Sequence, residues 1–149
     1  MVWAAISWRY RTPLTVVDGN LTARRYVDEV IEPCVLPFLQ AHPDVNIFQQ
    51  DNARPHSANV TQTFLREQNV NVMPWPSFSP DLSPIEHLWD ELGRRVYDGR
   101  HQINTTQQLV QALREEWEAI PQYRIQRLIR SMRRRCQETL RVNGGHTRY

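Results

Sequence analysis

FQQDNARPHSA at Phe48–Ala58 and WPSFSPDLSPIEHLWDELGRRV at Trp75–Val96 are the segments that decide how this chain is read. They hold two acidic residues, Asp51 and Glu86, with thirty-four residues between them. Val45–Gln50 reads as a strand that puts Asp51 at its carboxyl end, where ligand chemistry collects in helix-covered sheets. Pro74–Pro84 has four prolines in eleven residues, which rules out regular helix or central strand and predicts a stiff, ordered loop. That loop feeds a helix start, with Ser83 as N-cap, Pro84 in the first helical position and Glu86 in the third. Ile85, Leu88, Leu92 and Val96 then form one buried stripe.

A strand-end Asp facing a Glu in the first turn of a helix suits phosphoryl transfer on nucleic acids by the two-metal route, which needs carboxylates holding two divalent cations about 4 Å apart. Magnesium takes oxygen ligands and keeps waters, so no cysteine or histidine cage is required. Local roles compete. Asp51 before Asn52 can make a loop turn, and Glu86 can complete a capping box with Ser83. On spacing alone those local roles carry more weight. His56, beside a helix start, fits a hydrogen-bonded structural role, and Asp90, one turn after Glu86, fits either an auxiliary ligand or a solvated side chain.

Outward from these segments, Met1–Ser7 and Leu14–Val17 read as an antiparallel strand pair joined through the polar turn Trp8–Pro13 and ended by Asp18-Gly19-Asn20. Because a natural amino terminus is usually polar and frayed, a chain opening inside a buried strand suggests absent upstream sequence. Thr22 is placed to cap a helix reaching about Leu39, which Pro33 and Pro37 should bend or break. His42-Pro43-Asp44 makes a turn. Ser57 can cap a helix to roughly Glu67, and Val70–Met73 is a further short strand. Gly99 and its neighbours interrupt the helix of Glu86. Two more helices follow, Thr105–Ile120 and Pro121–Leu140, the last with Ile125, Leu128, Ile129, Met132, Cys136 and Leu140 near helical spacing and Gly144-Gly145 ending it. The order describes an α/β layer with a helical carboxyl-terminal extension.

A chain of 149 residues fits one domain able to bury its own core, and no apolar run approaches the roughly 20 residues of a membrane span. No secretory signal opens it, so an intracellular compartment is expected. Cys34 and Cys136 stand without metal-ligand spacing and read as reduced, mostly buried thiols. All 18 basic residues are arginine, and seven fall between Arg124 and Arg141. Arginine's planar fork suits phosphate oxygens, which favours a nucleic-acid partner, although skewed codon usage gives the same bias. Arg54, Arg94 and Arg95 stand near the two carboxylates. Arg133, Arg134 and Arg135 belong to the crowded last helix, whose basic face fits phosphate tracking and ordinary solvation equally. Trp75 fits base stacking, or packing into the core.

The block FQQDNARPHSA, the segment WPSFSPDLSPIEHLWDELGRRV and the tail GGHTRY resemble the catalytic domain of Tc/mariner superfamily transposases. The resemblance extends through VWAAIS and PLTVVDGNLTARRYVDEVIEPCVLPFL, covering essentially the whole chain, and it reverses the weight given to the local roles. It implies an RNase H-like fold, a mixed sheet flanked by helices, and DNA cut-and-paste transposition at a three-carboxylate site binding Mg2+ or Mn2+. A water and then a DNA 3′-hydroxyl attack phosphodiesters there. Asp51 matches the second carboxylate and Glu86 the third, and both are the expected catalytic and metal residues. The first aspartate is expected on a strand preceding VWAAIS, a strand missing from this chain, and Asp18 matches the turn after the next strand. The amino-terminal helix-turn-helix DNA-binding domain is likewise expected upstream. An isolated catalytic-domain fragment of this kind is expected to be inactive and marginally stable. The implied partners are transposon-end and target DNA and a second copy of the chain as a homodimer, with no membrane and no small-molecule substrate. The implied location is the nucleus. A metal-dependent nuclease of the same fold, and a relic or repurposed nucleic-acid-binding or dimerisation module, are the competing functions.

Overall fold

The computed structural model describes residues 1–77, 79–98 and 100–142. The expected break at Gly99, the Gly144-Gly145 stop and the GGHTRY tail lie outside the described residues. The chain divides into two compact units, one of Met1–Trp3 and Thr15–Phe78, the other of Ala4–Leu14 and Ser79–Tyr149. No described helix is long and apolar enough to cross a membrane.

In the first unit, β1 (Val2–Trp3) pairs antiparallel with β2 (Thr15–Val16), Val2 opposite Val16. The turn after β2 contains Gly19 at φ +66°, a left-handed conformation that glycine adopts without steric cost. Thr22 caps the next helix as expected, its hydroxyl accepting from the Arg25 amide. Neither proline breaks that helix. α1 (Ala23–Tyr26) runs into a π-helical segment at Val27–Val35, and α2 (Leu36–Ala41) completes it. In an α register the Pro33 ring would clash with the carbonyl four residues back. The wider turn removes that clash, and the Leu36 amide accordingly donates to the Ile31 carbonyl, five residues back. The face carrying Tyr26, Val30, Ile31 and Val35 is buried against Val17, Phe48 and Leu65.

The expected strand at Val45–Gln50 is reduced to one parallel bridge, Phe48 with Val72. It is held by two hydrogen bonds of 2.8 Å, from the Phe48 amide to the Asn71 carbonyl and from the Met73 amide to the Phe48 carbonyl. Inward–outward alternation covers only Phe48–Gln50, and Ile47 is 45% exposed, so no longer buried face sustains a ladder. Among the described residues the sheet is therefore the β1–β2 pair with isolated bridges, smaller than the mixed sheet expected. Ser57 does not cap the following helix. It ends the short α3 (Arg54–Ser57), its hydroxyl donating to the Ala53 carbonyl, and α4 (Asn59–Glu67) starts after Ala58. α4 closes in a Schellman turn, with Asn69 at φ 55°, its amide on the Arg66 carbonyl and the Val70 amide on the Leu65 carbonyl.

In the second unit, a turn at Ser7–Tyr10 joins the extended residues bridged at Ile6 and Arg11. The proline-rich stretch contains one 3-10 turn at Pro80–Leu82, and α5 (Pro84–Tyr97) follows, burying Leu88, Leu92 and Val96 as expected, with Ile85 half-buried. α6 (Thr106–Ala119) starts with a full capping box between Thr105 and Gln108. Trp117, fully buried, stacks on Trp89 at 5.4 Å between ring centres and donates its indole N–H to the Thr12 carbonyl at 2.9 Å. The expected single last helix is two, α7 (Gln122–Arg130) and α8 (Met132–Arg141). At Ser131 the amide is shared between the Arg127 and Leu128 carbonyls, and the hydroxyl donates to Leu128 at 2.6 Å. The break resets the helical phase. Cys136 and Leu140 consequently lie exposed, Leu140 at 77%, whereas Arg135 is buried. Cys34 is half-buried, and both thiols are free.

Candidate functional site

Asp51 stands in the first unit, its side chain 59% exposed. Its Oδ1 accepts the Ala53 amide at 3.0 Å, closing the loop turn that Asp-Asn sequences favour. The same oxygen lies 2.5 Å from His56 Nδ1, and because a carboxylate only accepts, Nδ1 is the donor. These bonds fix the carboxylate through Oδ1 and leave Oδ2 outside them. The loop is tethered from both flanking helices. The Tyr26 hydroxyl donates to Gln50 Oε1 at 2.9 Å, the Tyr26 ring lies 4.3 Å from that of His56, Gln62 Nε2 donates to the His56 carbonyl at 2.7 Å, and Thr61 Oγ1 to the Pro55 carbonyl at 2.6 Å. Burial, reinforced by the charge of Asp51 and opposed by a hydrogen bond with Trp3, pushes the Tyr26 hydroxyl well above its usual range, so it remains a neutral donor. Asn52 Nδ2 reaches the Trp75 carbonyl at 2.8 Å, tying this loop to the proline-rich stretch, where Trp75 is half-buried. Arg54 is exposed at the start of α3.

Glu86 stands in the second unit, exposed in the first turn of α5. Ser83 occupies the N-cap position without making a side-chain cap bond, so the expected capping box does not form, and Pro84 stands at the helix start with its φ already fixed. Asp90 is exposed one turn on. Next to Glu86, burial lowers the His87 pKa. Arg135 adds to that shift, Asp90 opposes it, and Arg94 adds again.

The arginines divide sharply. Arg94, Arg133 and Arg134 are exposed. Arg95 is instead engaged inside its unit, donating to Glu91 Oε1 from Nε and Nη2 at 3.1 and 2.8 Å and lying 3.6 Å from Glu116. Arg124 holds the other Glu91 oxygen at 3.1 Å. Despite burial, which favours the neutral acid, the hydrogen bonds from Arg95 and Arg124 hold the Glu91 carboxyl below its usual range. Arg135 is 2% exposed and donates to the Asp81 carbonyl and Ser131 Oγ, so its guanidinium is turned into the protein rather than toward a DNA backbone. Sequence reasoning missed the tether through Tyr26 and Gln50. Its trace was the polar Gln50 on the inward side of Phe48-x-Gln50.

Among the described residues no cluster of three histidine, cysteine or acidic side chains could hold a metal. Asp51 and Glu86, each exposed within its own unit, are carboxylates, the oxygen-donor type that a hard divalent cation takes.

The sequence pattern of the family described as DDE superfamily endonuclease matches residues 1–110, a stretch containing both carboxylates. The chain is 38% identical over 151 residues to the Tcb1 transposase of Caenorhabditis briggsae, and 35% identical over 150 residues to the Tc1 transposase of Caenorhabditis elegans. Each match covers all of this chain and 54% of the relative, so the chain spans about half the length of the curated relatives it matches. The mariner Mos1 transposase, solved as a paired end complex with Mg, superposes with a TM-score of 0.77 at 24% identity over 93% of this chain and 41% of that one. That likeness shows the RNase H-like fold expected from sequence.

Proposed function

This chain belongs to the DDE superfamily endonucleases, as a transposase domain of the Tc1/mariner type, and from that premise we propose that it serves DNA strand cleavage and transfer with Asp51 and Glu86 as metal-ligating catalytic residues. One observation carries the reading: both carboxylates lie inside the family-matched stretch and both are exposed. A bound pair of Mg2+ or Mn2+ ions supplies activation of the attacking oxygen and stabilisation of the leaving oxygen. The chain's own part is to present carboxylate oxygens in fixed positions. For Asp51 that is the work of the Ala53 amide and His56, and for Glu86 that of the α5 helix start. The substrates are transposon-end and target DNA, the partner a second copy of the chain, and the location the nucleus. Arg54, Arg94, Arg133 and Arg134 are the arginines that meet phosphates, with affinity falling as salt rises.

Mn2+ titration of the 149-residue chain, read from the free-ion electron spin resonance signal, tests the assignment. Asp51→Asn and Glu86→Gln are each expected to weaken binding by at least about tenfold, the order of effect set by losing one ligand's charge. Curves that coincide with wild type would remove both residues from metal binding. Hydrolysis of end DNA without joining to a target would replace strand transfer by a nuclease activity.

A further inference from the structure

Helix α5 begins without the hydrogen bond that usually fixes such a start, because Ser83 occupies the N-cap position but its side chain does not cap. The residues just ahead of Glu86 are held from elsewhere in the same unit. The preceding 3-10 turn, Pro80–Leu82, runs directly into Ser83 and Pro84, and Leu82 and Ser83 are buried. Its middle carbonyl, that of Asp81, accepts Nη1 of Arg135 at 2.6 Å, while Nε of the same guanidinium donates to Ser131 Oγ at 2.9 Å. Ser131 in turn donates to the Leu128 carbonyl at 2.6 Å. A charged, almost fully buried side chain thus links the α7–α8 break to the residues just ahead of Glu86. From Asp81 onward there is little slack. The Ser83 amide bonds the Pro80 carbonyl, Pro84 has a fixed φ, and the Glu86 amide bonds the Ser83 carbonyl.

We infer that Arg135 is a positioning residue for Glu86, replacing the absent side-chain cap by holding the Asp81 carbonyl from α8. This rests on the assignment of Glu86 as a metal ligand. Arginine is required because two bonds leave one planar group in different directions, which a lysine ammonium on a flexible stem cannot reproduce. The Arg133 side chain, on the same helix and exposed, is the control position.

The test uses the 149-residue chain with Arg135→Lys, which keeps the charge but loses the fork, and the milder Ser131→Ala, which removes the Nε partner along with the hydroxyl's own bond to Leu128 but leaves the Asp81 contact. Two readouts are taken: Mn2+ affinity, and hydrogen exchange at the Leu82, Ser83 and Glu86 amides relative to those of α6. The expected result is exchange at those three amides accelerated roughly tenfold with α6 unchanged, and Mn2+ affinity lowered about fivefold, with Arg133→Lys matching wild type in both. A folded Arg135→Lys or Ser131→Ala chain with wild-type exchange at residues 82–86 overturns the positioning role, whatever the metal does. Should exchange accelerate while Glu86→Gln leaves Mn2+ binding untouched, the metal assignment of Glu86 falls and Arg135 is left as an anchor of the helix start only, which refutes the inference as stated.

Discussion

Tyr26→Phe removes the hydroxyl that donates to Gln50 at the loop of Asp51, together with that hydroxyl's bond with Trp3. The ring stays, so the fully buried surface of residue 26 and its packing on His56 are retained, and the hydroxyl is lost with its bonds to Gln50 and Trp3. Its partner, Gln50 Oε1, belongs to a residue 8% exposed, so water does not readily replace the donor. Leaving a buried acceptor unsatisfied costs about 1–3 kcal/mol, more than the roughly 1 kcal/mol net value of a hydrogen bond removed together with its partner. Taking about 2 kcal/mol, and a shift of roughly 2–4 °C per kcal/mol for chains of this size, the melting temperature should fall by about 4–8 °C. Thermal unfolding followed by circular dichroism measures it. The double variant Tyr26→Phe with Gln50→Leu supplies the internal control, because replacing both partners by apolar groups should recover part of the loss. An unchanged melting temperature in Tyr26→Phe, or a double variant less stable than the two single losses added together, would refute the view that this bond tethers the loop.

Three further outcomes are expected. Glu91 has a folded pKa below its unfolded value, so its contribution is complete above about pH 4.3 and is lost as pH falls through the folded pKa. In acid titrations of stability, Glu91→Gln should therefore be less stable than wild type near neutrality and converge with it as pH falls through the folded pKa. Arg133→Ser with Arg134→Ser should weaken binding to duplex DNA of any sequence and reduce the slope of log affinity against log salt by about 0.9 for each phosphate no longer neutralised, measured by fluorescence anisotropy. Trp117→Phe leaves the buried Thr12 carbonyl without its 2.9 Å donor, and a loss of roughly 1–3 kcal/mol or more in urea unfolding is expected, Trp→Phe shrinkage adding to it.

The sequence by itself determined the elements whose cause is local. Thr22 caps its helix because its hydroxyl reaches an amide three residues ahead, and the α5 stripe of Leu88, Leu92 and Val96 follows from spacing alone. The two carboxylates were legible too, since an Asp at the end of a short extended run and a Glu behind Ser-Pro are local signatures, and the role expected of them came from the family resemblance. Tertiary structure decided what depends on residues far along the chain. The helix at residues 23–41 crosses two prolines because its buried face outweighs the lost amides, and it does so by widening into a π register. The strand before Asp51 shrank to one bridge because ladder bonds need a partner, which local pattern does not supply. Arg135 illustrates the limit most directly. Its arginine neighbours Arg133 and Arg134 are exposed, whereas Arg135 is buried on a carbonyl 54 positions away. Burial of a charge is set by whether a distant partner arrives to satisfy it, and only the folded chain supplies that partner.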